Sequence, residues 1–355
     1  MNQPAGVALI GAGFISYMHV LAARADPSLR AVALASRSTQ MAEHRARIFG
    51  IDACSFDSLA EMLARDDVDI AVVASPVALH HEHTLAAIRA GLHVVVEKPM
   101  VMTLAEAAQI EAAARAAKVL IGYAENQAFT PLVAKARERI VAGAVGRVQR
   151  VIAVFEHGGP PRRSWFFDPR LAGGGAHLDL GAHALEVALC LIGKPRVTRV
   201  AVCKMARDGE RGVDLTAVCE LETASGIQMQ ISSSWAARKG ACRYEVHGDA
   251  GTLTARFEPA PQSLTVKTAN GEEDVDFPGG FDLRVDTYLT SLGYIGQTRH
   301  FAECFRNRTT PAESARDGEN VLRVLAAGYM AARTSRSVEV ADVPPDRTPI
   351  QLLDG

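Results

Sequence analysis

Asp179 and His183 stand four residues apart in "GGGAHLDLGAHALE", a spacing that puts a carboxylate and an imidazole on one face of a helix. An imidazole that accepts a proton beside an orienting carboxylate can take the proton of an alcohol as hydride leaves its carbon. A surface ion pair has the same spacing and is worth only a few tenths of a kcal/mol. Gly181 fits that blander reading poorly, because glycine inside a helix costs about 1 kcal/mol relative to alanine. It is expected to let another group approach closely, and Gly173, Gly174 and Gly175 to loosen the start of the helix. A third candidate is Lys98 in "VVVEKPM", where Pro99 stops the strand and sets the turn. A partly desolvated lysine can trade a proton near neutrality. Alone, a lysine at a strand exit reads as snorkelling to solvent; beside Asp179 and His183 it reads as part of a proton-transfer set.

These groups need a scaffold. "VALI", "RAVALAS", "VDIAVVAS", "HVVVEK" and "VLIGYA" are short apolar runs separated by helical patterns. Strands so uniformly apolar are buried on both faces, and the helices between them make crossovers into a parallel sheet. The pattern predicts an α/β protein with an N-terminal, doubly wound Rossmann domain over residues 1–125. From residue 126 the rhythm changes to strands separated by turns, such as "RVTRVAVCKM", "VDLTAVCELET" and "GIQMQISSSW". That predicts a C-terminal α+β domain over 126–355, with a large, mostly antiparallel open sheet.

"GAGFIS" follows the first strand and opens a helix, the setting in which such a turn cradles a pyrophosphate. Gly11 permits the turn, Gly13 leaves room for the phosphate, and Phe14 and Ile15 begin the helix. Ser16 stands where a third Gly or Ala is usual. NAD binders place an acid at the end of the second strand, and here that place holds Ser36 and Arg37. A guanidinium and a hydroxyl suit a 2′-phosphate, so NADP is the expected cofactor, with NAD the alternative. Ser75, Glu97 and Lys98, at the ends of later strands, complete the expected cofactor contacts.

A formal net charge of -2 gives no reason to expect nucleic acid or an anionic membrane as a partner. No apolar run is long enough to span a bilayer, and "MNQPAG" lacks the features of a signal peptide, so a cytoplasmic location is expected. The six cysteines include no C-x-x-C pair and read as free thiols. "HHEH" and the set His177, Asp179 and His183 both imitate metal sites. Adjacent helical residues point to different faces, facial coordination across His177–His183 is awkward, and iron leaves the nucleotide turn unexplained. No metal is expected.

"GAGFIS", "EKP" and "GGGAHLDLGAH" in this order, with "WFFDPRLAGGG" and "YEVHGDAGTL", resemble the glucose–fructose oxidoreductase, inositol dehydrogenase and rhizopine-catabolism family (Gfo/Idh/MocA). The likeness covers nearly the whole chain. It implies NAD(P)-dependent oxidation of a secondary alcohol on a sugar, inositol or related polyol. It also implies a homodimer or homotetramer joined through the open face of the large sheet. Lys98, Asp179 and His183 match the family's proton-transfer residues, and His80 matches a histidine placed near the nicotinamide. Val77 departs from the asparagine usual in that turn. Two alternatives share the fold: a glycosidase or lyase acting through transient sugar oxidation, and a non-catalytic NAD(P)-sensing regulator. The loop "EHGGPPRRSWFFDP" is expected to border the substrate. There Trp165 can cover a sugar ring, and Arg162 and Arg163 can either grip a carboxylate or simply be solvated.

Overall fold

The computed structural model describes residues 3–161, 164–210, 212–278 and 284–355. They form two compact units. The first comprises the chain up to Val101, Ala105–Asn126 and Gly293–Glu319; the second comprises Met102–Leu104, Gln127–Leu292 and Asn320–Gly355.

In the first unit, β1 (Ala5–Ile10), α1 (Phe14–Arg24), β2 (Leu29–Ser36), α2 (Thr39–Phe49), β3 (Asp52–Ser55) and α3 (Leu59–Leu63) form one half. The other half is β4 (Ile70–Val73), α4 (His80–Arg89), β5 (His93–Glu97), α5 (Leu104–Ala117) and β6 (Ile121–Ala124). All six strands are parallel, in the order β3-β2-β1-β4-β5-β6. This is the dinucleotide-fold order, and it reverses direction between β1 and β4, where ligands of such sheets bind. The apolar runs are there for burial: Leu9, Ile10, Leu34, Val94 and Val96 are all fully enclosed.

In the second unit, α6 (Pro131–Val141) begins with Thr130 capping the amide of Val133 and Pro131 in the first turn. After it come β7 (Val148–Glu156), the one-turn α7 (Pro169–Ala172) and α8 (Ala176–Leu191). The sheet continues with β8 (Val197–Arg207), β9 (Asp214–Thr223), β10 (Gln228–Ser234), β11 (Ala241–Gly248), β12 (Gly251–Glu258), β13 (Ser263–Thr268) and β14 (Gly271–Asp274). With β15 (Val338–Glu339), its order is β14-β13-β12-β11-β7-β10-β9-β8-β15, antiparallel except for the β7–β10 pair. The chain closes with α9 (Val285–Ser291), α10 (Tyr294–Asn307), α11 (Ala315–Thr334), β15 (Val338–Glu339) and α12 (Pro349–Asp354).

Two findings differ from the sequence reading. Helix α10 returns to the first unit, where the Tyr294 ring meets His19 edge-on at 5.8 Å and Phe301 lies against Gly122. Its amphipathic pattern shows that one face is buried but not which sheet covers it. Secondly, Cys203 and Cys219 are not free thiols: they are bonded to each other, directly opposite in the β8–β9 register. Strand pairing brings them together with no motif to announce it. Cys54, Cys190, Cys242 and Cys304 are free.

Candidate active site

In the first unit, Gly11 has φ +123°, and a Cβ there would lie 2.4 Å from the carbonyl oxygen of Ala74. Glycine is required because the turns after β1 and β4 touch at the point where strand order reverses. Gly13 is different: a Cβ on it would meet nothing within 4 Å. It precedes α1, which has neither a side-chain cap nor an acid in its first turn, so the helix keeps unpaired amides facing open space. Phe14 is exposed and Ile15 half-buried, whereas Ser16 is buried with its hydroxyl unbonded. Ser36 is buried at the end of β2 and Arg37 is exposed, with no carboxylate partner among the described residues. Ser38 caps α2 through the amide of Met41.

Lys98 is half-buried directly after β5. Its neighbour Glu97 is turned inward, with Oε1 2.8 Å from Nε2 of His19 on α1. That contact joins the strand bearing Lys98 to the helix that follows the glycine turn. His80 is also built into the scaffold here. It is buried, with Nε2 2.8 Å from the carbonyl of Ser75 and Nδ1 3.0 Å from that of Pro99. Burial holds the imidazole below its ordinary pKa, so its one N–H donates to one of these two carbonyls. His80 lies between the turn after β4 and the Lys98–Pro99 turn. The Ser75 hydroxyl is taken by Nδ1 of His83 at 3.0 Å, and Val77 is buried.

In the second unit, every residue of α8 is buried except Asp179, which is half-exposed. His183 lies one turn further along, and its ring is 5.4 Å from that of Phe155 on β7. Asp179 Oδ2 accepts a hydrogen bond from the indole Nε1 of Trp235, 3.1 Å away. Nothing in the local sequence signals this partner, because Trp235 follows β10, 56 positions further on. Trp165 is half-buried and stacks on Phe166, with ring centroids 4.1 Å apart; Phe166 and Phe167 both lean on Trp235. Arg162 and Arg163 lie outside the described residues.

The triple glycine does not loosen the helix; it lets the helix start in a crowded place. Gly173 ends α7 in the left-handed conformation, φ +75°. A Cβ on Gly174 would come within 2.4 Å of the Tyr329 hydroxyl, and one on Gly175 within 1.9 Å of the Asp214 carbonyl oxygen. Gly181 also faces inward, away from the Asp179–His183 face. A Cβ there would touch the His177 ring at 3.0 Å. His177 is fully buried, which lowers its pKa to about 4, and its Nε2 is 3.7 Å from Cys219 Sγ. It is thus enclosed beside the cystine and takes no part with Asp179 and His183.

Residues 5–125 match the family model described as the oxidoreductase family with NAD-binding Rossmann fold, and residues 133–254 match the GFO/IDH/MocA C-terminal domain. The chain belongs to the Gfo/Idh/MocA family. The family match makes it an NAD(P)-dependent oxidoreductase, and the Rossmann strand order and the glycine turn agree with that. Two relatives match it over nearly its whole length. The 1,5-anhydro-D-fructose reductase of Ensifer adhaerens is 29% identical over 339 residues, spanning 94% of this chain and 97% of that one. The inositol 2-dehydrogenase of Rhizobium meliloti is 27% identical over 343 residues, spanning 94% and 98%. Among solved structures, GenD2 from gentamicin A biosynthesis, in complex with NAD, superposes with a TM-score of 0.82 at 29% identity, covering 96% of this chain and 97% of that one.

Proposed function

We propose that this oxidoreductase transfers hydride between NADP and a secondary alcohol or ketone of a sugar, inositol or related cyclic polyol. The observation that carries the reading is the half-exposed carboxylate of Asp179, one turn from the buried His183 on an otherwise buried helix. A carboxylate at the one partly open position of such a helix, with an imidazole on the same face, is placed for chemistry rather than for packing.

The open space beside Gly13 and the uncapped start of α1 suit a pyrophosphate. The exposed Arg37, with Ser36 behind it and no acid at the end of β2, supports NADP over NAD. When bound, the dinucleotide supplies a nicotinamide ring able to accept or return hydride. Lys98 and His183 hold and move the proton of the substrate hydroxyl, and Asp179 orients them. Trp165 offers an aromatic face to a sugar ring, and Arg162 and Arg163 favour an acidic substrate. The sheet face away from α8 exposes Val202 and Val218, apolar groups that suit a contact between copies in a homodimer or homotetramer. Among the described residues no helix is long and apolar enough to cross a membrane, which fits work on a diffusible substrate in the cytoplasm.

The test is a panel of sugars, polyols, sugar acids and glycosides with NAD and NADP, read at the absorbance of the reduced nicotinamide. Net NADPH formation from a free polyol supports the reading. Consumption of a glycoside with no net change in cofactor would assign transient-oxidation chemistry, and dinucleotide binding without turnover of anything would assign a sensor.

A further inference from the structure

Asp214, the first residue of β9, has no exposed surface, yet it carries three hydrogen bonds that converge on the start of α8. Its Oδ1 accepts from the amide of Gly175 at 2.7 Å and from the Tyr329 hydroxyl at 2.5 Å, and its Oδ2 accepts from the amide of His177 at 2.7 Å. The Tyr329 hydroxyl also lies 3.2 Å from the Gly175 amide. A buried carboxylate is costly unless its lone pairs are satisfied. Here it is satisfied by the very amides that a helix start leaves unpaired, which also complements the positive end of the helix dipole. Burial pushes the Asp214 carboxyl above its ordinary pKa, and the tyrosine and the two amides oppose that push. Gly174 and Gly175 are what allow this approach, because a methyl group at either would collide with Tyr329 or Asp214.

The same strand holds the other side of the site. Leu215, next to Asp214, accepts the backbone amide of Trp235 at 2.8 Å, and the Trp235 indole bonds Asp179. The Asp179 amide in turn bonds the Gly175 carbonyl at 3.0 Å, one turn back. The contacts therefore close on themselves: Asp214 to Gly175, Gly175 to Asp179, Asp179 to Trp235, Trp235 to Leu215, and Leu215 back to Asp214. We propose that Asp214, Tyr329 and Trp235 are positioning residues, a closed frame that holds the Asp179 carboxylate in its working orientation. The inference rests on the reading of Asp179 as part of the proton-transfer set. Packing alone does not account for the frame. Phenylalanine would fill much of the Trp235 site, but only an indole presents an N–H to the one residue of α8 that is not buried.

The chain has two tryptophans, Trp165 and Trp235, so its indole N–H region in a nitrogen-15 correlation spectrum holds two signals. Asp179→Ala identifies the Trp235 signal by shifting it and increasing its exchange with water. In Asp214→Asn, and in the milder Tyr329→Phe, the same signal moves in the same direction and the Trp165 signal moves less. With the panel member turned over fastest, Asp214→Asn and Trp235→Phe each lower kcat about tenfold with the KM for the dinucleotide unchanged. Trp235→Phe added to Asp179→Ala lowers it no further. A folded Tyr329→Phe or Asp214→Asn protein whose Trp235 signal stays in place overturns the proposal. So does a Trp235→Phe loss that simply adds to that of Asp179→Ala. If no panel member is turned over, the functional reading fails, and the spectra still decide whether the frame exists.

Discussion

His19 and Glu97 face each other across 78 positions of sequence, imidazole Nε2 to carboxylate Oε1 at 2.8 Å, with both side chains buried. One belongs to the helix after the glycine turn and the other to the strand that delivers Lys98, so the pair sets the spacing between that turn and Lys98. Glu97→Gln keeps the shape and removes the charge. The expected cost is about 1–3 kcal/mol of folding stability, measured by urea denaturation. An unchanged midpoint would remove the pair from the list of groups that hold the first unit together.

Two glycines are expected to respond in opposite ways. Gly175→Ala drives a methyl group to within 1.9 Å of the Asp214 carbonyl, and should destabilise by more than about 3 kcal/mol or leave the protein insoluble. Gly13→Ala meets nothing within 4 Å in the protein, so its stability should stay within about 0.5 kcal/mol of the parent. Its dissociation constants for NAD and NADP should nevertheless rise, because the methyl group enters the space assigned to the pyrophosphate. Calorimetric titration beside a thermal melt reads both effects.

Cofactor choice is expected to turn on Arg37, whose guanidinium is exposed and meets no carboxylate among the described residues. Arg37→Ala should lower kcat/KM for NADP about tenfold or more and leave that for NAD nearly unchanged. Equal losses with both dinucleotides would mean that Arg37 only stacks on the adenine.

Lys98→Ala should retain dinucleotide binding and lose about two to four orders of magnitude in turnover, the range for removing a proton-transfer group. Fluorescence titration with NADPH and steady-state rates separate the two quantities. Full activity would strike Lys98 from the mechanism.

Stability should fall as the medium is acidified. Burial holds His177 and His83 down to about pKa 4, and His80 is shifted in the same direction, so all three stay neutral in the folded protein near neutrality. An unfolded chain binds these protons near pH 6.5. Between that pH and about 4 the unfolded state holds more protons, and stability therefore drops as pH falls through this window. Denaturation midpoints at pH 7.5, 6 and 5 should decrease in that order. A flat profile would show that these imidazoles are not enclosed as described.

Much of the molecule was legible in one dimension because its signals are local. The apolar runs of β1, β2, β4 and β5 are long and uninterrupted, so burial on both faces follows from composition alone. The turn at Gly11 and Gly13 sits between a strand and a helix that are contiguous in sequence. Asp179 and His183 share a face because helical periodicity operates within four residues. Other features were out of reach for the converse reason. That His80 meets the carbonyls of Ser75 and Pro99, and Glu97 meets His19, is visible only in the fold.

The amino-acid sequence by itself determined the class of fold, the alternation of strands and helices, the glycine turn and the pair on α8, since each depends on neighbours a few residues apart. Tertiary structure alone decided that Gly174 and Gly175 admit a buried aspartate and its tyrosine, that Trp235 bonds Asp179, that α10 joins the first unit, and that Cys203 meets Cys219. Each of these joins segments far apart in the chain, and strand register and close packing choose such partners without leaving a mark in local sequence.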